Sequence, residues 1–154
     1  MKQPEETKNG GARRIYANII WIFLAVIVTA GCFASNLGGA WIGHPAKPAQ
    51  FLMTAVYIIF WGMFAVVTRK HIVLIRISLA ISLLTAIGAV AALSTMLVNF
   101  GLIFAVLLGA FTAVPFYGFR LLMNWTLLYG VVLAISLLWL IYSLRNLHVI
   151  RASR

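Results

Sequence analysis

The chain holds almost no acid. Glu5 and Glu6 are its only carboxylate side chains, so the 148 residues from Thr7 to Arg154 contain neither Asp nor Glu. That absence excludes a Ser-His-Asp nucleophilic set and paired-carboxylate acid-base catalysis, and it removes the ligands that hard cations prefer. It also removes the mid-membrane carboxylate on which proton- or sodium-coupled carriers normally rely. Cysteine is nearly missing too. Cys32 stands alone, so no intramolecular disulfide can form and no redox compartment is indicated. His44, His71 and His148 fall on three different connections or tails, with no second ligand at metal-binding spacing. No Gly-rich phosphate loop follows a strand, and Gly10-Gly11 and Gly38-Gly39 read as a tail and a helix end. The expectation is a chain with no metal, no cofactor and no enzymatic activity.

What is present is apolar surface. Hydrophobic residues make up 64% of the 154, charged residues 9%, and the mean hydropathy is +1.05. A soluble domain is about half apolar and a quarter charged. The apolar residues also come in blocks long enough to cross a hydrocarbon core of roughly 30 Å at about 1.5 Å per residue. The fold class is therefore all-α, an integral membrane helical bundle.

The blocks predict spans at 15–37, 49–67, 72–98, 101–119 and 125–144. Residues 1–14 read as a disordered basic tail ending in Arg13-Arg14, and residues 145–154 as a second basic tail. Pro45 and Pro48 stiffen the short connection that also carries Trp41, His44 and Lys47. Arg69, Lys70 and His71 break the second block from the third, and Asn99 and Gly101 offer a tight reversal before the fourth. Tyr117, Gly118, Arg120, Asn124 and Trp125 supply the turn and interfacial residues before the fifth.

Five spans with the N-terminus inside place eight of the twelve Lys and Arg on the cytoplasmic side and four outside. This satisfies the positive-inside rule but leaves the basic C-terminal tail on the unfavoured side. An alternative with four spans and a re-entrant 101–119, which contains Pro115, puts both termini inside and raises the bias to ten against two. Five spans are expected here, because a re-entrant stretch facing lipid leaves backbone groups unsatisfied. The expected location is a bacterial plasma membrane with a cytoplasmic N-terminus.

Four features point toward contacts. Val28-Thr29-Ala30-Gly31-Cys32, following Arg13-Arg14 and an apolar run, resembles a bacterial lipoprotein signal. It makes Cys32 a candidate for lipidation, although Thr29 stands where Leu is usual and the apolar run continues to Leu37. Gly101, Ala105, Gly109 and Ala113 form a small-residue ridge at i, i+4 spacing, which allows close helix approach in lipid. Ser78, Ser82 and Ala86 carry the same spacing on the third span, with Gly88 and Ala92 on a neighbouring line. Intramolecular packing is the favoured use of the ridge, and homo-oligomerisation the sharper one. Arg76 and Arg120, with Arg69 and Lys70, form a predicted inner rim for anions or lipid headgroups. Finally, Leu79-Ala80-Ile81-Ser82-Leu83-Leu84 recurs at 133–138. The low-complexity alphabet makes chance its better explanation.

Two functions fit. One is a small multi-pass protein acting by association, as an accessory, stabilising or regulatory subunit of a membrane complex. The other is a small oligomeric channel or uncoupled transporter for an anionic or apolar solute. The expected partners are membrane lipids with their anionic headgroups, and a protein partner or a second copy of the chain; nucleic acid is not among them.

Overall fold

The structure is a computed structural model that describes residues 5–42, 44–98 and 103–152, with the side chains of 15–40, 42, 44–95, 107–109 and 111–152. It is all-α among the described residues. The elements are α1 (Glu5–Ile42), α2 (Pro48–Val67), a 3-10 turn (Thr68–Lys70), α3 (Ile72–Val98), α4 (Ile103–Ala113), a 3-10 segment (Val114–Leu121) and α5 (Trp125–Ala152). Four stretches are long and apolar enough to cross a membrane: Ile15–Ala40, Pro48–Lys70, Ile72–Thr95 and Trp125–Ala152. Each coincides with a predicted span. Beyond those spans, helix continues through residues 5–14 and 145–152, which the sequence reading leaves as tails. Once a helix is nucleated, each further residue adds a hydrogen bond at little extra cost.

Local chemistry sets the boundaries. Pro48 opens α2, where its missing N–H costs nothing, and the Gln50 side chain accepts from the Lys47 N–H at 2.8 Å. Asn124 caps α5, its Oδ1 accepting from the Leu127 N–H at 2.9 Å. Thr68 turns its hydroxyl back to the Phe64 carbonyl at the end of α2.

α1 and α2 pack antiparallel. Trp21 meets Phe64 edge-on at 6.0 Å near one end, and Gln50 Nε2 donates to the Ser35 carbonyl near the other. α3 runs antiparallel to α5, with the Ser78 and Ser143 hydroxyls 3.0 Å apart. The two copies of the repeated hexapeptide, one on each of these helices, therefore run in opposite directions. Five spans would give them the same direction. Between the helices sits an aromatic core, with Tyr57, Trp61, Phe64 and Phe116 all buried. Trp61 packs on Phe64 at 5.0 Å, and Tyr57 stands edge-on to Phe116 at 5.5 Å.

The block 101–119 takes the four-span alternative. α4 has 11 residues and so extends about 16 Å, roughly half a hydrocarbon core. It runs antiparallel to α3, since Gly109 lies against Ala92 and Thr112 against Gly88. The 3-10 segment then returns to the end from which α4 set out. Its Pro115 lies at the depth of Cys32 and Thr54, while its Tyr117 hydroxyl donates to the His44 carbonyl in the α1–α2 connection. Glu5 and Ala152, the first and last described residues, consequently lie at the end that carries Arg69 and Lys70. His44, Lys47 and Arg120 lie at the opposite end.

Five spans were expected because a lipid-facing re-entrant backbone would be unsatisfied. The tip escapes that penalty because it does not face lipid. Residues 112–118 are buried, and side chains of α1 and α2 meet the Pro115 carbonyl and the Gly118 N–H.

Candidate functional site

Two places concentrate polar chemistry: the tip of the re-entrant segment and the basic end of the bundle.

Proline breaks α4 at residue 115, because it has no N–H and its ring clashes with the preceding turn. The carbonyl of Pro115 is left for other donors. Thr54 Oγ1 donates to it at 2.9 Å, Asn36 Nδ2 at 3.3 Å and Cys32 Sγ at 3.3 Å. Thr54 Oγ1 in turn accepts from the Gly118 N–H at 3.1 Å and from Asn36 Nδ2 at 3.2 Å. Cys32 and Asn36 are one helical turn apart on α1, so they face the same way. All three side chains are fully buried. Gly118 lets the segment approach α2 closely, since a Cβ there would collide with the Gln50 carbonyl and stand 2.6 Å from Phe51 Cα. In hydrocarbon an unsatisfied backbone group costs several kcal/mol, so this cluster is what permits a half-crossing.

Cys32, the candidate lipidation residue, lies inside this cluster and has 0% of its surface exposed. Helix continues ten residues past it, from Phe33 to Ile42. Asn36 and Thr54 were not singled out in the sequence. The available signal was their polarity within apolar spans, because a buried amide or hydroxyl in lipid needs a specific partner.

The small-residue ridge packs within the chain. A Cβ on Gly109 would stand 2.5 Å from Ala92 Cβ, so α4 rests directly on α3. Ala113 is buried, whereas Gly101 and the Ala105 side chain lie outside the described residues. The line on α3 that receives the ridge is Gly88 and Ala92. Ser78 instead turns to Ser143 of α5, Ser82 bonds back to the Ser78 carbonyl at 2.8 Å, and Ala86 is buried.

The predicted rim divides between the two ends. Arg120 sits at the far end, donating from Nη1 to the Met123 carbonyl at 2.8 Å with its guanidinium 4.7 Å from the Trp125 ring. Cation–π contact and a carbonyl thus occupy it within the chain. Arg76 is exposed on the first turns of α3. Arg69 and Lys70 line a concavity of about 750 Å³ that is completed by Tyr142, Arg145, Asn146, Val149 and Ile150 of α5. Tyr142, Arg145, Asn146 and Val149 are spaced i, i+3, i+4, i+7, which is one face of a helix. In the five-span arrangement Arg145 belonged to the opposite side.

Among the described residues no three His, Cys, Asp or Glu side chains cluster as metal ligands. No protein family, curated protein or solved structure matches the chain.

Proposed function

We propose that this chain works by association, as a non-enzymatic accessory, stabilising or regulatory subunit of a membrane complex. The observation that carries the reading is an open groove between α1 and α3. It has a volume of about 600 Å³ and is floored by Trp61 and Phe64. Ala25, Thr29, Ala30 and Ala34 line it from α1 between the larger Ile22, Val26, Phe33 and Leu37, opposite Ile77 and Ile81 of α3. Small residues along a groove let a further transmembrane helix approach closely, where packing rather than hydrophobicity drives association. α1 is held by α2 and the re-entrant segment, and its Ile15, Ile19, Phe23 and Val26 remain exposed.

A pore through the single chain is disfavoured by the same interior. The apolar cavities are walled by Leu37, Phe111, Trp125 and Tyr129 in one case and by the groove residues in the other. The aromatic core fills the space between. Among the described residues, eight basic residues at one end against Lys47 and Arg120 at the other favour a cytoplasmic location for the start of α1 and the end of α5.

The test is a photo-crosslinking residue at Ala30, in native membranes. A crosslink to one distinct membrane protein supports the association reading. A crosslink only to a second copy, together with solute flux in liposomes holding this chain alone, overturns it in favour of an oligomeric channel.

A further inference from the structure

From the concavity at the basic end we infer a binding site for a multiply charged phosphate, a phosphomonoester or diphosphate, carried on a membrane lipid. The inference does not depend on what fills the α1–α3 groove.

Two separate elements build the site. The 3-10 turn after α2 brings Arg69 and Lys70, and the last turns of α5 bring Arg145 and Asn146, with Tyr142 one turn below. No acid follows Glu6 in the sequence, and no ion pair engages these cations among the described residues. Three like charges around one concavity repel one another unless an anion enters. Two guanidinium groups suit phosphate in particular, because each can donate two parallel hydrogen bonds to neighbouring oxygens. The Tyr142 hydroxyl and the Asn146 amide add neutral donors. A cluster of three cations favours a dianionic phosphate over the single charge of a phosphodiester.

The lipid source follows from position and lining. The concavity lies at the membrane end of two spanning helices, and Val149 joins the cations in lining it. An apolar wall beside a basic pocket between helix ends is the arrangement that holds a lipid head group. Free phosphate shares the headgroup chemistry but gains nothing from Val149.

The experiment uses the full chain in detergent micelles doped with one lipid at a time, with bound lipid counted by native mass spectrometry. Phosphatidate, a phosphomonoester, is expected to bind, and phosphatidylglycerol, a phosphodiester, to bind more weakly. The double variant Arg69→Gln/Arg145→Gln should bind phosphatidate roughly twenty-five-fold more weakly, from about fivefold per cation. Arg145→Gln alone should show about the fivefold step, and Arg120→Gln at the other end none. Displacement of phosphatidate by inorganic phosphate or pyrophosphate would assign the same site to the free anion. No displacement assigns it to the lipid. Equal binding of the two lipids, or undiminished binding by the double variant, would overturn the inference and leave a diffuse surface field.

Discussion

The hydroxyl of Thr54 donates to the Pro115 carbonyl at 2.9 Å, across 61 residues of sequence. The same oxygen accepts from the Gly118 N–H and from Asn36. One hydroxyl on α2 therefore serves both sides of the bend in the re-entrant segment. A half-crossing chain must shed its backbone polarity onto something, and here that something is a helix pair formed by α1 and α2.

Thr54→Val keeps the shape of the side chain and removes this hydroxyl. We expect it to destabilise the fold by about 1–3 kcal/mol, because it leaves buried donors and acceptors without partners. Thr54→Ser should stay close to wild type. Thermal unfolding in detergent compares the three, and a Val variant as stable as wild type would show that the bond carries no weight.

Gly109→Leu should act within the chain. Its side chain has no room beside Ala92, and forcing it in is expected to cost about 1–3 kcal/mol or more of stability. Ala92→Gly in the same chain should recover part of that loss. Protease resistance of the α3–α4 region reads both effects, and full resistance in the single variant would place the ridge elsewhere.

Topology is open to a direct check with a membrane-impermeant thiol reagent. Cysteines introduced at Arg69 and Ala152 should label from one side of the membrane, and one at Lys47 from the other. Five spans would instead group Ala152 with Lys47.

Native Cys32 should stay silent in that experiment. Its thiol lies between the Met53 and Pro115 carbonyls with no exposed surface, so reaction is expected only after unfolding in strong detergent. The intact mass should equal that of an unmodified cysteine. A mass increment of a diacylglycerol group would mean that the chain is processed before it folds this way.

Much of this was legible from residue order. The apolar blocks predicted the four long apolar helices though not their extensions through 5–14 and 145–152, because crossing hydrocarbon demands a minimum apolar length whatever the neighbours are. The small-residue spacing of Gly109 and Ala113 identified a packing face, since helix geometry alone aligns residues four apart. Arg69 and Lys70 marked the break between the second and third apolar blocks by their own charge.

The fate of 101–119 was not legible. An apolar block with a proline suits either a crossing or a return, and the choice depends on whether donors from elsewhere reach the Pro115 carbonyl. Cys32, Asn36 and Thr54 supply them from helices 61 or more residues away. That return reverses α5, which carries Arg145 to the side of Arg69 and Lys70 and leaves Arg120 with Trp125 at the other. By itself the sequence determined that this chain lives in a membrane and where its helices lie, because hydropathy and helical period are local properties. Only the tertiary structure decided how many times the chain crosses and which cations meet, because satisfying a buried carbonyl is a contact between distant residues.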